Sequence, residues 1–387
     1  MTQSVIVVGL GAFGAAILYQ LASRKVAAIG IDRFSPPHAM GSSHGETRIT
    51  RLSVGEGDSY APLVRRSHEI WRALEATEGV GLMTRTGGLI FGPRDGVPLH
   101  HGREAFVART IELAERTGIA HEVLDTAAIA ARFPQFMLRG NEVAYFEPEA
   151  GMLSPEACVR VQLAAARAHG ATIRTDEQVL SIDQDAGGVT VRTTTETLRA
   201  ARCIVAAGAW VGRLLGGAMA RQTRVYRQTL HWFAADDPAA YAPGRFPIFI
   251  WIYGPTQEDA FYGFPETQPG AGVKVAGEQY ATVADPDTVA RDVSDQESAS
   301  LYSRHVAGRL RGVSARSVDA KACLYTVTPD AGFIVDRAPG MDRVLVVSAC
   351  SGHGFKHSAA LGEAIAEQVV DGASRIPLDA FALSRLE

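Results

Sequence analysis

The residues with the plainest chemistry stand near the start of the chain. Gly9-Leu10-Gly11-Ala12-Phe13-Gly14 follows Val5-Ile6-Val7-Val8, and an acid, Asp32, closes the next apolar run. Glycines at this spacing serve a dinucleotide: Gly9 permits a tight turn, Gly11 lets backbone approach a pyrophosphate, and Gly14 lets a helix lie close to a strand. The helix that follows offers unpaired N–H groups to phosphates, and Asp32 can accept hydrogen bonds from ribose hydroxyls. A second concentration of chemistry is cationic. Nearly all basic residues are Arg, and the only lysines are Lys25, Lys274, Lys321 and Lys356. Arg keeps its proton, whereas the pKa of Lys can shift, so a lysine in such a chain points to a specific need. A solvated surface lysine is the ordinary alternative for each.

The elements that must position these groups follow from pattern. Val5-Ile6-Val7-Val8 suits a parallel strand buried on both faces, 15–21 a helix and 26–31 a second strand. The order strand, GxGxxG, helix, strand, acid is that of a dinucleotide-binding unit, without distinguishing NAD from FAD. Downstream, Gly151-Met152-Leu153-Ser154-Pro155-Glu156 introduces an alanine-rich helix ending near Gly170. Thr172-Ile173 and Val179 suggest strands, and 189–193 alternates as a half-exposed one. Cys203-Ile204-Val205 is a buried strand running into Ala206-Ala207-Gly208, where small residues let backbone approach a ligand. These pieces are interleaved with other material, whereas a nicotinamide-dependent dehydrogenase, the rival reading, would keep its cofactor domain contiguous.

Composition sets the outer bounds. The chain has 387 residues, 47% hydrophobic and 21% charged, enough for about two domains. With 38 basic and 42 acidic residues the formal charge is −4, which gives no field for nucleic acid or anionic lipid. The N-terminus lacks a basic n-region, and no apolar run approaches the ~20 residues of a membrane helix. Four cysteines, Cys158, Cys203, Cys323 and Cys350, lie without CxxC pairing, so neither a zinc site nor a disulfide framework is indicated. The expectation is a cytoplasmic protein with no metal centre.

Three further segments carry a resemblance. They are Pro36-Pro37-His38-Ala39-Met40-Gly41-Ser42-Ser43-His44-Gly45-Glu46-Thr47-Arg48-Ile49-Thr50-Arg51 with Gly55-Glu56-Gly57, then Cys323-Leu324-Tyr325-Thr326-Val327-Thr328-Pro329-Asp330, then Ser351-Gly352-His353-Gly354-Phe355-Lys356. In this order, over nearly the whole chain, the sequence resembles the monomeric sarcosine oxidase and N-methyltryptophan oxidase family, FAD-dependent amine oxidases of the D-amino acid oxidase-like superfamily. The resemblance implies an α/β (α+β) protein: a Rossmann-like FAD domain of the glutathione reductase type with a second, sheet-rich substrate domain. It implies FAD held covalently through Cys323, oxidation of an N-methyl or cyclic secondary amino acid by O2, release of H2O2, and a monomer. Within the family, an N-methyltryptophan- or pipecolate-type substrate is the alternative to sarcosine.

The resemblance also assigns roles. Arg48, His44 and Thr47 lie near the flavin, Arg51 and Lys356 grip the substrate carboxylate, and Tyr262 and Tyr325 wall the substrate. The guanidinium fork of Arg51 matches two carboxylate oxygens, and two cations point to an amino acid rather than a plain amine. Lys274 is placed beside the flavin to help oxygen accept an electron, since a fixed positive charge in a dry site stabilises superoxide. Ser42, Val179, Gly208, Gly352 and Gly354 join Gly9, Gly11, Gly14 and Asp32 around the cofactor. There are two departures: the loop from Pro265 to Lys274 is one residue long for the family, and Glu278 stands where sarcosine oxidases carry a histidine facing the substrate. An acid there would welcome a cationic or hydroxylated side chain, or turn outward. Trp251-Ile252-Tyr253 is a further candidate for shaping the pocket. Segments 1–82, 148–218 and 318–387 are read as the FAD domain, and 83–147 and 219–317 as the substrate domain.

Overall fold

The computed structural model describes residues 4–95 and 99–386. Strand Val5–Val8 is buried along its whole length. It pairs in parallel with Ala28–Ile31 on one side and Arg202–Val205 on the other, as a run of β-branched residues with no polar face requires. Around it forms a six-stranded sheet that adds Thr172–Arg174 beyond Ala28–Ile31, and Met341–Ser348 and Ile334–Ala338 beyond Arg202–Val205. Helix Ala12–Ser23 leaves directly from the glycine motif. A Cβ on Gly14 would lie 1.7 Å from the Gly9 carbonyl oxygen, and one on Gly362 would lie 2.6 Å from the Ala16 Cβ. Glycine at these two points is what lets helix Ala12–Ser23 press against its strand and against the C-terminal helix Ser358–Asp371.

The half-exposed strand expected at 189–193 is Gly188–Thr193. It lies in a separate antiparallel sheet with Val179–Asp185 and Thr197–Ala200. A small three-stranded sheet joins Arg48–Thr50, Gly151–Leu153 and Met83–Arg85, which ties the Arg48 segment to the start of the alanine-rich helix Pro155–Ala168.

The remaining large element is an eight-stranded mixed sheet. Its order is Val313–Val327, Arg224–Ala235, Val273–Gly277, Ala260–Phe264, Ile248–Ile252, Gly88–Pro93, Glu142–Glu147 and Glu122–Asp125. One face packs an aromatic core of Phe91, Phe136, Phe246, Phe249, Trp251 and Phe261, where offset and edge-on rings add to simple burial. Trp251 stacks on Phe91 at 4.8 Å and so belongs to this core, not to the pocket; Ile250, one residue earlier and on the opposite face, takes the pocket side. Strand Val313–Val327 runs across the boundary drawn at 318. It pairs with Arg224–Ala235 from Val327↔Arg224 to Val313↔Ala235, so Cys323 and Tyr325 reach the cofactor region on a strand of the larger sheet.

Candidate active site

Two adjoining cavities occupy the seam between the sheets. The larger, about 280 Å³, is a cleft lined by Gly9, Gly11, Asp32, Ser42, Val179, Gly208, Gly352 and Gly354 together with Arg48 and Tyr325. The smaller, about 60 Å³, is lined by Arg51, Lys356, Tyr262, Glu278, Glu56 and His101, among others. Arg48, Tyr325, Gly352 and Phe355 border both. The larger cleft suits a dinucleotide: it opens at the N-terminus of helix Ala12–Ser23, whose cap position Gly11 carries no side-chain hydrogen bond. A Cβ on Gly9 would lie 2.5 Å from the Ala206 carbonyl oxygen. Asp32 already accepts from the Leu10 and Phe34 N–H groups at 2.7 and 2.8 Å, which fixes its carboxylate at the cleft edge.

His44, Thr47, Lys274 and Cys323 stand behind the wall rather than in it. Lys274 is buried, and its Nζ donates to the Gly45 carbonyl at 2.5 Å and to the Thr47 carbonyl and hydroxyl, both at 2.9 Å. Burial and then the neighbouring Arg48 push its pKa well below the lysine range. Three acceptors are what an ammonium needs, and this direct coordination favours the charged form against that push. Burial, then Arg48, lowers His44 to about 3, so it is neutral. Arg48 donates to the Ser42 and Thr47 carbonyls at 2.9 and 2.8 Å and approaches Cys323 Sγ at 3.5 Å. Among the other thiols, Cys158 and Cys203 are buried, and Cys350 lines the cleft half-buried.

The smaller cavity is an ionic cluster. Arg51 Nη2 lies 3.2 Å from both oxygens of Glu56, and Nη1 donates to the Ser53 carbonyl. The buried Arg51 Nε has no partner among the described residues. Lys356 Nζ donates to the His353 carbonyl at 2.8 Å and sits 3.6 Å from Glu56. Burial draws Lys356 down to about 8 against the support of Glu56. Tyr262 and Tyr325, from strands three places apart in the eight-stranded sheet, meet hydroxyl to hydroxyl at 3.2 Å; burial raises both phenols.

Several groups here carried no role in the sequence reading. Burial alone would raise Glu56, but Arg51, Lys356 and His101 hold it well below the usual carboxylate range. His101 Nδ1 lies 3.2 Å from Glu56 and Nε2 lies 3.2 Å from Glu278. Burial opposes charge on this ring, yet the two carboxylates lift it to about 9. Glu278 turns inward: with His101 on one oxygen and the Tyr280 hydroxyl at 2.8 Å on the other, it falls to about 2 despite burial. His100 stacks on His101 at 3.9 Å, and burial keeps it neutral at about 3. Donor atoms of His100, His101 and Glu278 lie within 4.8 Å of one another, close enough for a cation, but His101 spends both nitrogens on carboxylates. The sequence held only faint signals for this cluster: an acid between two glycines five residues after Arg51, and a histidine pair.

Against known proteins, residues 4–368 match the family described as FAD dependent oxidoreductase, DAO. The chain belongs to that family. The choice between NAD and FAD left open by the glycine motif is thereby made for FAD. The oxidoreductase is 33% identical over 384 residues to monomeric sarcosine oxidase from Bacillus sp. (strain NS-129), covering 98% of this chain and 96% of that one. It is 30% identical over 387 residues to N-methyl-L-tryptophan oxidase from Salmonella enteritidis PT4 (strain P125109), covering 100% and 99%. Among solved structures, NikD, an unusual amino acid oxidase essential for nikkomycin biosynthesis, aligns with a TM-score of 0.84 at 24% identity over 98% of both chains. Glycine oxidase from Geobacillus kaustophilus gives 0.78 at 19% over 99% of both. These two likenesses establish the fold. No helix among the described residues is long and apolar enough to cross a membrane.

Proposed function

We propose that this oxidoreductase oxidises the C–N bond of a small secondary amino acid, acting as a cytoplasmic monomer with its FAD tethered through Cys323. The observation that carries the reading is the convergence of Arg51 and Lys356 on a small cavity bordering the dinucleotide cleft. FAD, when bound, supplies the two-electron acceptor that O2 regenerates. Balanced, the amine and O2 give an imine and H2O2; water then splits an N-methyl imine into aldehyde and primary amine, whereas a ring imine is retained.

The chain's own groups bind and orient. Arg51 and Lys356 receive the carboxylate, with Glu56, which lines the same cavity, steadying both cations. Tyr262 and Tyr325 confine the rest of the substrate toward Arg48. A cluster of positive charge lowers the pKa of the bound amine, so it can react neutral without a strong protein base. The cavity is small, about 60 Å³, and continuous with the dinucleotide cleft. That favours a sarcosine-sized or small cyclic substrate over one with an indole side chain. The six-stranded sheet is assigned to the FAD domain and the eight-stranded sheet to the substrate domain, with Val313–Val327, a strand of the larger sheet, crossing the boundary at 318.

Cys323 is preferred over Cys350 as the tether because it opens the Cys323-Leu324-Tyr325-Thr326 motif that carries the family resemblance and has Arg48 beside its sulfur. The test is a panel of N-methyl and cyclic amino acids read by peroxide release, on protein whose yellow absorbance survives acid precipitation. Cys323→Ala should lose acid-stable colour and Cys350→Ala should keep it. Protein that reduces no flavin with any member of the panel overturns the reading.

A further inference from the structure

Resting on the secondary amino acid reading, we infer that Glu278, held in place by His101 and Tyr280, is the specificity-determining residue of the small cavity, and that the substrate it selects is a monocarboxylate bearing a neutral hydrogen-bond donor, such as a hydroxyl, on its side chain. Arg48, Arg51, Lys356 and His101 contribute four positive charges around the cavity and Glu56 and Glu278 two negative ones. One substrate carboxylate on Arg51 and Lys356 offsets one of the two unbalanced positive charges, and Arg48 carries the other where the cavity meets the dinucleotide cleft. A second carboxylate on the side chain would sit beside the buried negative charge of Glu278, and an ammonium would add to the positive excess; both are costly. A neutral donor costs no charge.

Geometry agrees with the charge count. Glu278 lines the cavity, and each oxygen has one fixed donor, His101 Nε2 at 3.2 Å or Tyr280 at 2.8 Å. A carboxylate oxygen accepts about two hydrogen bonds, so the pair is oriented yet retains acceptor capacity. Glu278 lies one residue beyond strand Val273–Gly277, just past Ala276, whose cross-strand neighbour is Tyr262. His101 at φ 48° and Gly102 at φ 69° form the two-residue turn closed by the His100–Arg103 backbone pair, a local geometry that fixes where the His101 ring stands.

The experiment compares N-methylserine with N-methylalanine, each enantiomer separately, since the pair differs by one hydroxyl. The wild-type holoenzyme should prefer N-methylserine in kcat/KM by about tenfold, a modest factor because Glu278 is already part-satisfied when the hydroxyl is absent. Glu278→Gln should bring that ratio toward one. Tyr280→Phe, which removes only the competing donor on one oxygen, should raise the ratio above wild type and keeps the assignment testable if the first variant does not fold. A wild-type ratio near one, or a ratio that Glu278→Gln leaves intact, overturns the role of Glu278 while leaving the amino acid reading standing. Failure of every secondary amino acid to reduce the flavin overturns both.

Discussion

Glu56 is touched by Arg51, Lys356 and His101, and this sharing decides how the pocket answers to pH. Lys356 is charged below about 8 and neutral above it, so its hold on a carboxylate weakens as pH rises. A simple monocarboxylate without an amine, titrated by its perturbation of flavin absorbance, should lose about threefold to tenfold in affinity between about pH 7 and about pH 9.5. Lys356→Arg should flatten that dependence. His101 behaves with the opposite sense of shift: raised to about 9, it adds stability that is complete below its ordinary value near 6.5 and disappears as pH climbs through 9. For Lys274, bonded three times to the Gly45–Thr47 turn, Lys274→Met should slow reoxidation by O2 at least tenfold more than flavin reduction in stopped-flow traces; equal slowing of both steps would rule out the oxygen role. The family resemblance brought Arg51 and Lys356 forward, and both line the small cavity. Glu56 and His101 were not legible, since an acid and a histidine mean little until folding gathers three distant segments around them.

Among elements, the glycine-to-helix unit was the most legible, because its constraints are local. Gly14→Ala would drive a methyl to within 1.7 Å of the Gly9 carbonyl. We expect colourless protein and a stability loss of about 3 kcal/mol, the upper end for overpacking, measured by denaturant unfolding. Strands 26–31 and 189–193 were read within two residues of their observed bounds. Strand Val313–Val327 was harder. Its exposed, charged first half, Ser314 to Ala320, resembles a linker in sequence, and only pairing with Arg224–Ala235 reveals one continuous fifteen-residue strand. The pocket role expected of Trp251 failed for a similar reason: alternation fixes that two faces exist, and the neighbouring strands fix which one is core.

For the whole molecule, the seam between the sheets is fastened at its far end. Asp287 accepts from Arg33 at 2.5 Å, from Trp210 Nε1 at 2.7 Å and from Arg213, while Arg213 also meets Asp285 at 2.7 Å. Arg33, Trp210 and Arg213 all line the dinucleotide cleft, so an acidic loop from the substrate side straps its mouth. Each exposed pair is worth little alone. In a Cys323→Ala background, where FAD can leave, Asp287→Ala should speed cofactor loss by about threefold to tenfold, followed by fluorescence of released flavin. The same seam has a fastening of another kind. Cys323 and Tyr325 share one stiff strand, two residues or about 6.6 Å apart along it. With Cys323 as the proposed tether and Tyr325 as the proposed substrate wall, any rocking of one sheet system against the other would carry both as a single piece, and the spacing between oxidant and reductant would be kept by a covalent backbone rather than by the alignment of two bodies.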